Sequence, residues 1–501
     1  MIVRTSRGAV RGARGGAAWR FLGIPYAAPP VGALRFRAPV RAERWAGVRD
    51  CREFGPTSPQ PDRTLPAGLD GRPVMGPGWL RGDDYLTVNV WTPDPAARGL
   101  PVMVYLHGGA FIAGAPHAPV YDGASFARDG VVLVSATYRL GAEGFLSLRG
   151  GDANCGLRDQ LAALEWVQEE IAGFGGDPGN VTLFGQSAGA ICVGLLLASP
   201  TSRGLMRRVI SQSGGLRMTL GPRQGERLAA AIAARLGVAP TRDAMAPVPV
   251  EDTIAAQQAV GLDDVDLGVE GEPGLPATFG PLAPVRDGEL VPDDPVASLE
   301  AGVSEGVDVL VGVTAEEGAL QLAATDAFPD PAPEQLRAIA ASVDPDAEGL
   351  LEAYGRRHAG AGARDLAVQM LTDALFRMPS ARLVDARGAA TGKTFAYELT
   401  WRSSALGGSL GAAHAVDLPF VFDALGVPGL VGPHGLLGEA GGPQELATRM
   451  HATWVAFART GEPGWEPWTA ARPVVMAVDT EGWAPLDRAW SRRDELWAAV
   501  G

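Results

Sequence analysis

Between residues 84 and 215 strand-length apolar runs alternate with helical patterns, and this alternation constrains the fold more than any other feature. YLTVNVW (85–91), PVMVYLHGG (101–109) and VVLVSATYR (131–139) read as strands. DQLAALEWVQEEIAGFG (159–175) sets Leu161, Leu164, Val167 and Ile171 on one helical face. NVTLFGQSAGAICVGLLLAS (180–199) passes from a short buried strand through a glycine-flanked turn into an apolar helix, and RRVISQSGG (207–215) repeats the strand-and-turn theme. Strands joined through helices pair in parallel, and a parallel sheet needs cover on both faces. The expected class is α/β, with a large, mostly parallel twisted sheet.

The flanking regions are less regular. The first hundred residues are rich in Gly and Pro, as in a β-meander with irregular loops, and 61–82 reads as a long surface loop. From 216 to 380 the chain is mainly helical, with RQGERLAAAIAARLG (223–237) and EQLRAIAASV (334–343), interrupted by one buried strand, DVLVGVT (308–314). TFAYELTW (394–401) and PVVMAVD (473–479) read as further strands, around the helix QELATRMHATWVAFARTG (444–461). No internal repeat and no long polar linker divides the chain. The expectation is one α/β domain over 1–501, with helical insertions at about 216–290 and 319–380.

Composition removes several classes of function. With 57 acidic against 43 basic side chains the formal charge is −14, which disfavours nucleic acid or an anionic lipid surface as partner. The longest apolar runs are strand-length, far short of the ~20 residues that span a bilayer. Cys51, Cys155 and Cys192 make neither a disulfide framework nor a zinc site of recognisable spacing. The start reads as a polar-alternating strand, without the apolar stretch of a signal peptide. A soluble, cytoplasmic protein is the simplest expectation.

Two fragments carry chemistry. Gly185-Gln186-Ser187-Ala188-Gly189 fits G-x-S-x-G between a buried strand and an apolar helix. A sharp turn there lifts the Ser187 hydroxyl out of the sheet, at a helix N-terminus that favours a developing anion. The bland alternative is a helix N-cap serine. His107-Gly108-Gly109-Ala110-Phe111 follows the strand PVMVYL; small residues there let backbone N–H groups point into a cavity, where they would act with the N–H of Ala188 as an oxyanion hole.

A serine needs a base. In the chain order Ser–acid–His the base follows residue 187, leaving His358, His414, His434 and His451. His358 ends a charged helical stretch, His434 sits in a Gly/Pro loop and His451 in a helix. His414, in GSLGAAHAVDLPFVF, has small residues before it and an apolar run after, a loop in which a ring can turn toward a cleft. For the acid, DVLVGVTAEEG offers Glu316 and Glu317 just past a buried strand; the residues alone do not choose between them.

These motifs resemble those of the type-B carboxylesterases, the family that includes cholinesterases and bacterial para-nitrobenzyl esterases. FLGIPYAAPPVGALRFRAP, DDYLTVNVW, YRLGAEGFL, the segment 156–189, TAEEG, GAAHAVDLPFVF and WVAFARTGEP fall in family order over almost the whole chain. The resemblance implies an α/β-hydrolase fold and a serine hydrolase of small carboxylic esters. It further implies Ser187 as nucleophile, Glu317 as acid and His414 as base, a serine chemistry that needs no metal or organic cofactor. Gly108, Gly109, Ala110 and Ala188 would form the oxyanion hole, with Ser213 beneath the acid–base pair. It also suggests two buried ion pairs, Arg35 with Asp83 and Arg139 with Asp159.

The departures matter. The signature before LNVW normally carries Glu-Asp-Cys, but here reads Asp83-Asp84-Tyr85, and the partner cysteine position is Ser58, so the family's first disulfide cannot form. Gln186 stands where glutamate is common, which removes a negative charge beside the imidazole and argues against cationic substrates. Carbamate or amide cleavage on the same triad is the alternative; a non-catalytic binding protein on this fold would be expected to have lost Ser187, Glu317 or His414. Pocket walls are expected from 62–82, from Phe111 onward and from the two insertions, with Trp79, Phe111, Phe376 and Trp401 as candidate wall residues.

Overall fold

In the computed structural model, residues 1–501 are described except 17, 217, 262–263, 273–279, 487–489 and 491–501. Eleven strands form the main sheet: β1 (Ala13–Gly15), β2 (Ala18–Pro25), β3 (Thr87–Thr92), β4 (Leu100–Leu106), β5 (Val132–Ala136), β6 (Gly176–Gln186), β7 (Arg208–Gln212), β8 (Asp308–Thr314), β9 (Thr394–Leu399), β10 (Val475–Val478) and β11 (Ala484–Pro485). Their order across the sheet is β11-β10-β9-β8-β7-β6-β4-β5-β3-β2-β1. The seven strands from β5 to β10 run parallel, while β3, β2, β1 and β11 pair antiparallel at the two margins. Three short strands near the N-terminus (Ile2–Arg4, Ala9–Arg11 and Val48–Asp50) make a separate small sheet.

The parallel strands are apolar because both faces are covered. Every residue of β5 and β7, and all but the first of β8, is buried. The helix Ala188–Ala198 is buried along all eleven residues, which explains why it is apolar on every side and not amphipathic. The helix Cys155–Glu170 keeps polar residues on its outer face and ties itself to the sheet through Arg139. Arg139, 1% exposed, donates from Nε (2.8 Å) and Nη2 (2.6 Å) to the Asp159 carboxylate, the expected buried pair.

The other expected pair does not form. Arg35 is buried and forks onto Glu143, Nε to Oε2 at 2.9 Å and Nη2 to Oε1 at 2.5 Å. A buried guanidinium needs a carboxylate from a buried position. Glu143 supplies one from the short helix Gly141–Phe145, whereas Asp83 lies exposed in the turn before β3. Next to it, Asp84 pairs with Arg49 at 3.0 Å. The loop 61–82 also differs from a plain surface loop: Leu69 and Val74 are buried, and a helical turn, Arg72–Met75, packs beside Tyr121, whose hydroxyl donates to the Val74 carbonyl at 2.8 Å.

Register explains how distant segments meet. Leu106 pairs with Gly185, Gln186 with Gln212, and Gln212 with Gly312, so β4, β6, β7 and β8 end side by side. The glycine loop after β4, Ser187 after β6, Ser213 after β7 and Glu317 after β8 all emerge from one carboxyl edge, where ligands of open α/β sheets bind. The Ala315 N–H bonds the Leu399 carbonyl, bringing the chain after β9, which carries His414, to the same edge.

Candidate active site

Ser187 adopts φ 57°, ψ −128°, a strained conformation for a residue with a side chain. Its N–H donates to the Gln212 carbonyl at 2.9 Å, and its own carbonyl accepts from Ile191, opening the helix. The turn is tight enough that a Cβ on Gly189 would stand 2.1 Å from the Leu106 carbonyl oxygen, which is why that position is glycine. Ala188 begins the helix, so its N–H has no intrahelical acceptor.

The glycine loop is held from behind. Gly109 has φ +118°, and a Cβ there would lie 1.8 Å from the Ala113 carbonyl oxygen. The His107 ring stacks on Tyr138 with centroids 4.5 Å apart, and the Tyr138 hydroxyl donates to the His107 carbonyl at 2.6 Å. Burial drives the His107 imidazole down to about 4, so the neutral ring serves as packing for the loop. Among the described residues, no acceptor takes the backbone N–H of Gly108, Gly109 or Ala110. Those donors are available beside Ser187 on the wall of a cavity.

Glu317 is fully buried and Oε2 lies 2.5 Å from His414 Nδ1, while Oε1 accepts from the Thr314 N–H at 2.8 Å. Glu316, its neighbour, turns away: it accepts from the Ala412 N–H at 2.8 Å and meets Arg402 and Arg364. One carboxylate holds the ring and the other braces the loop carrying it. His414 Nε2 faces the Gln186 side-chain amide nitrogen at 3.2 Å. Amide N–H groups only donate, so this contact and the Glu317 contact both select the tautomer with the proton on Nδ1 and a lone pair on Nε2. Phe376 lies against the imidazole with centroids 4.6 Å apart, from a π-helical turn, Asp373–Arg377, whose Arg377 is fixed between Asp373 and Glu398.

Asp417, three residues after His414, went unnoticed in the sequence. Its Oδ2 accepts from Gln212 Nε2 at 2.6 Å, and burial, with the nearby Glu317, pushes its carboxyl up to about 6. Ser213, also at positive φ (57°), donates its N–H to Gly312; its hydroxyl is buried without a partner among the described residues. The other histidines have separate duties: His117 stacks on Phe54, His451 bonds the Val421 carbonyl, and His358 caps the helix Ala347–Arg357.

Ser187, His414, Gln186, Gly108, Gly109 and Ala110 line one cavity that opens to solvent. Its apolar wall is Leu65, Val74 and Met75 from the 61–82 loop, Leu320 after β8, and Leu418 and Leu436 beyond His414. None of the four aromatics expected as walls lines it. Phe111 packs on Phe145, Trp401 on Phe420, Trp79 under the Arg81 guanidinium, and Phe376 behind the imidazole. Nor does the segment 216–290 reach the cavity. Among the described residues, no three His, Cys, Asp or Glu side chains gather in a way that could hold a metal ion, and no helix is long and apolar enough to cross a membrane.

Comparison with known proteins agrees over nearly the whole chain. A profile of the carboxylesterase family matches residues 1–488. The para-nitrobenzyl esterase of Bacillus subtilis (strain 168) is 32% identical, covering 100% of this chain and 99% of its own length. The phenmedipham hydrolase of Pseudarthrobacter oxydans is 33% identical over 99% and 98% of the two chains. A solved structure of a PNB esterase superposes with a TM-score of 0.84 at 32% identity, covering 99% of both chains. The chain thus belongs to the carboxylesterase family, with the α/β-hydrolase fold, and is a carboxylic ester hydrolase.

Proposed function

We propose that the protein hydrolyses small carboxylic esters through a serine acyl-enzyme, with Ser187 as nucleophile, His414 as base and Glu317 as the acid that orients it. The 2.5 Å contact between His414 Nδ1 and Glu317 Oε2, on a ring that shares its cavity with Ser187, carries this reading. The lone pair on His414 Nε2 takes the Ser187 proton as Oγ attacks the ester carbonyl, for which the Gln186 amide must yield that nitrogen. The backbone N–H groups of Gly108, Gly109, Ala110 and Ala188 receive the oxyanion, each worth about 3 kcal/mol of barrier. The imidazolium gives its proton to the departing alkoxide, and water activated by the same ring releases the acid. Three buried free thiols fit a reducing, cytoplasmic setting.

Ser187→Ala tests the assignment. Turnover of p-nitrophenyl butyrate and labelling by a fluorophosphonate probe should both vanish, while the circular dichroism spectrum and Tm stay those of the parent. Retained turnover in that variant would end the proposal.

A further inference from the structure

Among the described residues the catalytic cavity contains one permanently charged side chain, and it is a cation. Arg63 lines the wall beside the glycine loop, where Nη1 donates to the Gly109 carbonyl at 3.0 Å. A guanidinium has five N–H donors; among the described residues the Gly109 carbonyl is the acceptor Arg63 finds, and no carboxylate pairs with it. Arg35, Arg139 and Arg377, which are buried, each hold a carboxylate, whereas Arg63 is exposed at the cavity mouth and keeps most of its donors free. The adjacent Asp62 lies against Gly78 and leaves Arg63 alone. Among the described residues no Asp or Glu lines the cavity, and its remaining polar groups are Ser187, His414, Gln186, Tyr121 and Gln321. The Gln321 carbonyl oxygen is itself buried without a partner. Arg63 is exposed, and nearby protein lowers its pKa without neutralising it, so its free donors can take an incoming anion.

We propose that Arg63 is a specificity residue that selects esters bearing a second, ionised carboxylate; the inference rests on the esterase reading above. Because its guanidinium bonds the carbonyl of the peptide whose N–H belongs to Ala110, it stands roughly 5 to 8 Å from an oxyanion bound there. That span fits a carboxylate a few bonds from the scissile carbonyl, as in a half-ester of a five-carbon diacid. The guanidinium would take the carboxylate through the donors that Gly109 leaves free.

Mono-p-nitrophenyl glutarate and p-nitrophenyl valerate have acyl chains of the same length, one anionic and one neutral. The valerate ester of 4-hydroxybenzoate moves the carboxylate to the alcohol side. In the parent enzyme kcat/KM at low ionic strength should favour one of the anionic esters over neutral valerate by about tenfold, and the preferred one identifies the side that Arg63 reads. Arg63→Gln should lower that anionic-to-neutral ratio about tenfold, Arg63→Lys should restore part of it, and 0.5 M NaCl should shrink it in the parent. If Arg63→Gln lowers all esters in proportion, Arg63 merely supports the glycine loop through Gly109 and the proposal is overturned; an unchanged ratio overturns it equally. A parent that turns over no ester and resists fluorophosphonate would refute the underlying esterase reading instead.

Discussion

Replacing Gln186 by glutamate changes one charge in direct contact with the His414 ring. The Gln186 amide nitrogen lies 3.2 Å from His414 Nε2, and Gln186 is 3% exposed. A carboxylate there cannot donate to the lone pair; it can only accept from a protonated ring. At about 4 Å in an effective dielectric near 20, the new attraction between carboxylate and imidazolium is about 4 kcal/mol. The desolvation of the carboxylate is the same for both states of the ring and drops out, but solvent reaching the open cavity screens the pair to on the order of 2 kcal/mol, or about 1.5 pH units. The sign follows directly: the charged form of the ring is favoured, so the neutral base appears only at higher pH. The assay is kcat/KM for p-nitrophenyl butyrate from pH 5 to 9.5. The acid limb should move up by one to two units, roughly, with the alkaline plateau much less affected. A limb that stays in place, or moves down, would refute the claim that residue 186 acts on the base.

Two further outcomes concern stability. Asp417 is raised to about 6 by burial, so between its unfolded value near about 3.9 and that point the native state holds a proton that the unfolded chain has lost. Its contribution is therefore full at low pH and disappears as pH rises through about 6. Asp417→Asn should raise Tm relative to the parent more at pH 7.5 than at pH 5; the opposite order would contradict the burial argument. Arg139→Met strands the fully buried Asp159 carboxylate and should cost roughly 3 to 5 kcal/mol in urea unfolding, most of it recovered when Asp159→Leu is added. A double variant no better than the single one would mean that the pair does more than neutralise itself.

Much of the sheet was legible because its strands are apolar on both faces. The run 308–314 coincides with β8, and the helix expected over 444–461 spans Gln444–Thr460. What stayed illegible depends on direction and not on type. Glu316 and Glu317 are chemically identical neighbours, and only the turn after β8 decides that one faces the ring and the other faces Arg402 and Arg364. The Arg35 partner came from Glu143, 108 residues away, because burial and not motif position selects the carboxylate. The candidate wall aromatics turn elsewhere: Phe111 and Phe376 are buried in the core, half-buried Trp79 and Trp401 pack on Arg81 and Phe420, and leucines and a methionine line the cavity. Arg63 carried no signal at all. In a chain with a single lysine, one more arginine in a loop of Gly and Pro looks like composition.

Gln186 and Arg63 are best understood together, because each shifts the same local potential in the same direction. The protein as a whole carries a formal charge of −14, which repels an anionic ester at long range. Inside the cavity the sign reverses: the residue before Ser187 is neutral, no carboxylate lines the cavity among the described residues, and the guanidinium supplies a positive charge. If that reversal is what admits anionic esters, Gln186→Glu should do more than move the acid limb. Measured on its own alkaline plateau, where the base is neutral in both enzymes, the variant should show a lower anionic-to-neutral ratio in kcat/KM than the parent. Combining it with Arg63→Gln should lower the ratio further, and close to additively, because the two side chains would act on the substrate carboxylate from separate walls. A plateau ratio untouched by Gln186→Glu would mean that the carboxylate never feels residue 186, and that selectivity is confined to the guanidinium.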